Sequence, residues 1–173
     1  MSGGSGRRLR VVTVCMGNIC RSPTAEAVLR AKLEAAGLAD LVEVDSAGTY
    51  GGHAGSPPDP RSQEAALRRG YDLSRLRARG LAPDDAAADL LLVMDRGNLR
   101  HAQRVVGEHE GLRLFLSHGR GGSEVPDPYY GGVDGFERVL DLIEAGADAW
   151  VAVIRERLGG DRDTKAPPVD SGT

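Results

Sequence analysis

Sulfur, aromatic rings and lysine are all scarce in this 173-residue chain. Its two cysteines, Cys15 and Cys20, form no disulfide framework and cannot supply a four-cysteine zinc site. That usage fits a reducing compartment, so the cytosol is the expected location, with non-classical export left open. Aromatic residues are 4% of the chain, which leaves the core to aliphatic side chains. Only Lys32 and Lys165 among the 22 basic residues are lysine. The arginine excess accompanies many Gly and Ala, reads as coding bias, and devalues any motif that merely contains Arg. No apolar run approaches the roughly 18 residues of a membrane span. The basic opening segment precedes too short an apolar stretch for a secretory signal. Membrane association and classical secretion are therefore not expected. A net charge of −3 gives no reason to expect nucleic acid as a partner. His53, His101, His109 and His118 lack ligand spacing, and neither a metal nor a cofactor is implied.

What is present is one domain's worth of chain, 40% apolar and 27% charged, the balance of a globular protein. Residues 1–8 read as a flexible lead and residues 159–173 as a disordered tail, leaving 9–158 as the folded domain. Short apolar runs at 9–14, 41–45, 89–94 and 112–116 read as buried strands. Between them lie helical signals. Ser22 followed by Pro23 offers a cap and a first-turn proline for a helix stopping at Gly37. Asp59 and Pro60 repeat that signal for a helix to Gly70, and Asp95 caps another to about Val106. Apolar residues from Phe136 to Ile154 recur at helical spacing, predicting a last helix from Asp134 or Gly135 to Leu158. Alternating strands and helices predict an α/β domain: a four-stranded parallel sheet, doubly wound, with helices on both faces. Ligands of such sheets bind beyond the carboxyl ends of the strands, which directs attention to the loop after the first strand.

That loop reads Cys15-Met16-Gly17-Asn18-Ile19-Cys20-Arg21-Ser22. A cysteine and an arginine six positions on are weak by themselves; alone, Cys15 would be a small buried hydrophobe and Arg21 a surface cation. Position sharpens them. The cysteine ends a strand, the arginine precedes a helix, and Gly17 and Asn18 tolerate positive φ between them. Such a turn directs its N–H groups inward as an anion nest, and a guanidinium adds a planar fork matched to phosphate oxygens. Amides, helix N-terminus and Arg21 all favour a thiolate at Cys15, a nucleophile that needs no adjacent base. It would attack a phosphate monoester in line, and the Ser22 hydroxyl would steady the departing sulfur in the second step.

Expelling an alkoxide or phenoxide calls for a proton donor. Asp127, stiffened between Pro126 and Pro128, is the candidate, and Tyr129 and Tyr130 beside it offer a flat wall for an aromatic ester. Taken alone the same residues are an ordinary Asp-Pro turn with tyrosines on a loop.

The loop, together with VDSAGT, PPDPR, VMDRGNLR and VPDPYYGG in that order, resembles the low-molecular-weight protein tyrosine phosphatase family from about Leu9 to Leu158. The resemblance implies a four-stranded parallel sheet and hydrolysis of phosphotyrosine in proteins and of small aryl phosphates through a phosphocysteine. It implies Cys15 as nucleophile, Arg21 as phosphate clamp and Asp127 as general acid, then base. Met16, Gly17, Asn18, Ile19, Cys20 and Ser22 would line the phosphate loop, with Asn18 locking it and Ser46 supporting Asn18. Cys20 would form a reversible disulfide with Cys15, and Tyr129 and Tyr130 would flank the substrate ring. Ile19 matches members acting on phosphotyrosine rather than phosphoarginine. The implied partners are phosphotyrosine-containing proteins, and the implied assembly a monomer or weak dimer.

Two positions depart from the family pattern. Gly52 stands where an aromatic, often Trp, forms the second wall of the cleft, with Tyr50 and His53 as candidate substitutes. Leu76 stands where a His helps hold the loop Asn. Two rivals remain at this level: an arsenate reductase-like redox enzyme on the same fold, and a non-catalytic phosphate-binding module. The first relays through later cysteines, and no cysteine follows Cys20. The retained Cys15, Arg21 and Asp127 argue against the second.

Overall fold

The computed structural model describes residues 7–118, 124–129 and 132–165. Four strands, β1 (Leu9–Cys15), β2 (Val42–Gly48), β3 (Leu90–Val93) and β4 (Leu112–Leu114), pair in parallel in the order β2-β1-β3-β4. Val11 of β1 aligns with Val44 on one side and Leu90 on the other. Parallel strands need long crossovers, and α1 (Arg21–Ala35), α2 (Pro60–Leu67), α3 (Arg96–Val106) and α4 (Val133–Lys165) lie between and after them. Strand alternation divides the core. Val11 faces a layer containing Leu29, Leu33, Ile143 and Trp150 of α1 and α4. Val12 and Val14 face Ala102 of α3. Both faces are thus covered, as expected, and the central valines are fully buried, each stabilising by roughly 1.5–3 kcal/mol.

The α2 and α3 caps are those read from the sequence. The Asp59 side chain accepts from the Arg61 N–H, and Asp95 accepts from the Asn98 N–H while the Asn98 side chain accepts from Asp95 N. The α1 cap is not. The helix begins at Arg21 with Cys20 as its flanking residue and no side-chain cap, because the Ser22 hydroxyl is engaged elsewhere.

Other boundaries move as well. β2 starts at Val42, Leu41 being in a preceding 3-10 turn, and continues to Gly48, which carries Ser46 into the sheet. β4 ends at Leu114; Phe115 is still tied by its N–H to Val93 O (2.7 Å). Helix α4 runs from Val133 to Lys165, past the expected stop at Leu158. Each glycine at 159 and 160 costs only about 1 kcal/mol in a helix, and no proline intervenes before Pro167. Residues 166–173 of the expected tail, and 1–6 of the expected lead, lie outside the described residues. Arg7 and Arg8 are tied down, to Asp89 and to the carbonyls of Ala39 and Val42. Among the described residues no helix is long and apolar enough to cross a membrane.

Candidate active site

The carboxyl ends of the parallel strands bring four segments together: the 15–21 loop after β1, the 48–53 stretch after β2, Asp95 after β3, and residues 125–129 ahead of α4. They surround a cleft of about 190 Å³ lined by Cys15, Met16, Gly17, Ile19, Cys20, Arg21, His53, Asp127 and Tyr129.

The loop is held by its outer side. The carbonyls of Cys15 and Met16 accept from Thr49 N (2.9 Å) and Tyr50 N (2.8 Å), that of Ile19 from Asp59 N (2.8 Å), and that of Cys20 from Thr24 Oγ1 (2.7 Å). The N–H groups of Gly17, Ile19 and Cys20 take no protein acceptor among the described residues. Amides left without protein acceptors are what an anion nest requires. Asn18 sits at φ 56°, the left-handed region its short polar side chain tolerates. Gly48 allows this packing: a Cβ there would stand 2.7 Å from Met16 O and 3.1 Å from the Asn18 backbone N.

Cys15 is buried at the base. Its Sγ receives the Asn18 N–H (3.3 Å) and lies 3.0 Å from Ser22 Oγ. Asn18 Nδ2 donates to Ser22 Oγ (2.8 Å) and to Ser46 Oγ (2.9 Å), and Asn18 Oδ1 accepts from Arg79 N (3.0 Å). Ser46 and the Arg79 backbone thus both hold the Asn18 side chain. Leu76 packs partly buried against the core, so Asn18 is secured without a histidine at that position.

Arg21 is almost fully buried and is aimed by two partners, Asp95 Oδ2 (2.7 Å) and Val125 O (3.0 Å), both accepting from Nη1. Its Nη2 is 3.6 Å from Asp127 Oδ2. Val125 N donates to Met94 O (2.8 Å), which fixes the start of the acid-bearing segment, and Asp127 Oδ1 accepts from Tyr129 N (3.0 Å). Asp95 was read from the sequence as a helix cap only. Its placement at the end of β3, on the same side of the sheet as the loop, was the available signal for its second role.

Cys20 shares the cleft, and both thiols are free. Burial pushes the Cys20 thiol up to about 12, against a hydrogen bond from Ser62. Tyr129 forms one wall, with the Arg61 guanidinium 5.3 Å from its ring centre. Tyr130 lies outside the described residues. At Gly52 the place of a side chain is taken by the end of the exposed Tyr50 ring, 2.2 Å from where a Cβ would stand. Tyr50 instead packs edge-on to His53 (5.8 Å), and it is His53 that faces the cleft, close to Gly17. Of the two candidate substitutes for the missing aromatic, it is therefore His53 that lines the cleft, carried there by the 51–53 turn after β2.

Comparison with known proteins places this geometry among relatives. The family model described as low molecular weight phosphotyrosine protein phosphatase matches residues 10–160. The chain is 43% identical over 158 residues to a low molecular weight protein-tyrosine-phosphatase of Streptomyces coelicolor, covering 87% of this chain and 96% of that one. It is 39% identical over 154 residues to low molecular weight protein-tyrosine phosphatase A of Mycobacterium tuberculosis, covering 87% and 94%. Among solved structures, YfkJ of Bacillus subtilis superposes with a TM-score of 0.83 at 34% identity, over 89% of this chain and 99% of that one. Wzb of Vibrio vulnificus, solved in complex with benzylphosphonate, gives 0.75 at 30% identity, over 83% and 97%.

Proposed function

The chain belongs to the low molecular weight phosphotyrosine protein phosphatase family, and from that premise we propose that it hydrolyses protein phosphotyrosine and small aryl phosphates through a phosphocysteine on Cys15. One observation carries the reading. A buried sulfur that receives a backbone N–H and lies against a serine hydroxyl forms the floor of a cleft whose rim holds both a buried arginine and a carboxyl group.

In the first step the dianion of the ester sits in the amide nest, and Arg21, its Nη1 occupied by Asp95 and Val125, offers Nη2 to an equatorial oxygen. The Cys15 thiolate attacks phosphorus in line; the P–S bond forms as the P–O bond to the aryl group breaks. The carboxylic acid of Asp127 gives its proton to the departing oxygen, releasing the phenol. In the second step the Asp127 carboxylate removes a proton from water, which attacks phosphorus. The P–S bond breaks, inorganic phosphate leaves, and the Ser22 hydroxyl receives the returning thiolate charge.

His53 and Tyr129 are placed to sandwich the aryl ring, a role for which the wider chain offers few aromatics. Ile19 lines the same cleft, an apolar surface suited to that ring. Cys20 is the candidate partner of Cys15 in a protective disulfide: a peroxide would oxidise Cys15 to the sulfenic acid, and Cys20 sulfur would displace water from it.

The decisive variant is Cys15→Ser. Turnover of para-nitrophenyl phosphate is expected to vanish while vanadate or phosphate binding by calorimetry persists. Wild-type turnover in that variant refutes the covalent scheme.

A further inference from the structure

One carboxylate beside the acid-bearing segment has no part in the mechanism above. Glu124 opens that segment, and its Oε2 accepts from the Arg96 N–H (2.8 Å), the first of helix α3. Its other oxygen lies 3.6 Å from Arg96 Nη1. We propose that Glu124 is a positioning residue for proton transfer: by holding the first N–H of α3 it fixes the arm that presents Asp127 to the cleft. The proposal rests on Asp127 being the acid and names what aims it.

The first N–H groups of a helix have no partner within it. At α3 two carboxylates meet them. Asp95 Oδ1 takes the Asn98 N–H (2.7 Å) while its Oδ2 holds Arg21 Nη1 (2.7 Å). Glu124 takes the Arg96 N–H, and both negative charges suit the positive end of the helix. One rigid turn is therefore the mount for the phosphate clamp and for the acid's arm. The Arg96 guanidinium adds little, since the two side chains are 57% and 45% exposed and solvent screens the pair. The helix N–H, whose direction the backbone fixes, is the tie.

Two points are needed to aim an arm. Val125 supplies the first: its N–H donates to Met94 O (2.8 Å) and its carbonyl accepts from Arg21 Nη1 (3.0 Å). Bonds at one residue act as a pivot about which the segment can turn. Glu124, the adjacent residue, supplies the second point and removes that rotation. Pro126 and Pro128 have no N–H to bond a neighbour, yet their fixed φ passes the orientation at residue 125 on to residue 127. Tyr129 N, which binds Asp127 Oδ1 (3.0 Å), rides on the same arm. Arg21 Nη2, 3.6 Å from Asp127 Oδ2, is the group that the proposed scheme gives to phosphate. Asp127 lies two residues past the pivot, about 7 Å along an extended chain. A turn of about 10° there moves the carboxyl by about 1 Å, and a misplacement of that size can cost on the order of 100-fold in rate. Downstream the Tyr129 ring is held against Arg61 (5.3 Å), so part of the alignment survives loss of the Glu124 tether.

The test compares leaving groups. kcat/KM is measured for phenyl phosphate, whose phenoxide needs a proton to leave, and for para-nitrophenyl phosphate, whose phenoxide needs it far less. Glu124→Ala is expected to lower the first about tenfold and the second by no more than about threefold, because only proton transfer is misaligned. Glu124→Gln, whose amide carbonyl accepts the same N–H, should recover most of the loss. Added to Asp127→Asn, Glu124→Ala should cost no more than about twofold further, since the two changes act on one proton transfer. An equal fall for both esters, wild-type values for both, no recovery in Glu124→Gln, or a full further loss in the Asp127→Asn background overturns the proposal. Failure of the underlying acid assignment shows separately, as near-normal turnover in Asp127→Asn alone.

Discussion

Removal of one oxygen, in Ser22→Ala, separates the contribution of the loop's hydrogen bonds from that of its charge. The hydroxyl stands between Asn18 Nδ2 (2.8 Å) and Cys15 Sγ (3.0 Å). Its loss has two consequences of different kinds. In the proposed scheme the sulfur loses a charge-assisted donor, worth about 1.5–3 kcal/mol, or about 10- to 150-fold in rate. One N–H of Asn18, a residue only 2% exposed, is left without an acceptor at a cost of about 1–3 kcal/mol in stability. For a domain of this size that is a fall in Tm of about 2–12 °C, so the variant folds. The backbone role of residue 22 is untouched, because Thr13 Oγ1 donates to its carbonyl (2.9 Å), not its side chain. In the proposed scheme the rate loss falls on the step in which sulfur leaves phosphorus. Rapid mixing with para-nitrophenyl phosphate should therefore show a burst of nitrophenolate close to one equivalent of enzyme, followed by a steady state at least tenfold slower than wild type. A folded Ser22→Ala protein with wild-type kcat and no burst would mean that this hydroxyl does not stabilise the thiolate, and the second step would need another explanation.

Asp127→Asn keeps the contact to Tyr129 N but cannot give or take a proton, and kcat is expected to fall by roughly two to four orders of magnitude; a near-normal rate would move the acid elsewhere. Alkaline stability should report the buried thiol. Burial raises both Cys20 and Tyr71 to about 12, from ordinary values of 9.0 and 10.0. The folded state therefore holds these protons more tightly than the unfolded chain, and the stability they contribute is complete below about pH 9 and lost as pH rises toward 12. Thermal melts between pH 8.5 and 11 should show a falling Tm, with a shallower slope in Cys20→Ala; equal slopes in the two proteins would refute the assignment.

Much of the site was legible because its key residues are neighbours in the chain. Cys15 to Ser22 is one contiguous turn, and the residue types that bend it, Gly17 and Asn18, are visible without any tertiary knowledge. The same holds for the caps at Asp59 and Asp95, where donor and acceptor are two or three residues apart. Short apolar runs placed all four strands, and cap signals with helical spacing placed the principal helices. What misled was local logic applied where a distant partner competes. Ser22 had the signature of a helix cap, yet its hydroxyl belongs to the sulfur. The second strand runs past the expected end at Asp45, and the polar Ser46 sits inside it because Asn18 and Glu26 satisfy its hydroxyl. The final helix was stopped at its glycines, a penalty that continued helix propagation outweighs.

The chain by itself determined that a thiol, an arginine and an amide-rich turn would meet at the end of the first strand, since chirality, glycine placement and strand–helix alternation act over a few residues. Only the tertiary structure decided which way those groups face. Arg21 is aimed by Asp95, 74 positions away, and by Val125, 104 positions away. Asn18 is locked by Arg79, 61 positions away. Glu26 of α1 is met by Ser46 of β2, 20 positions away. Hydrogen-bond direction depends on every donor and acceptor present at once, and that inventory is assembled only when the sheet closes.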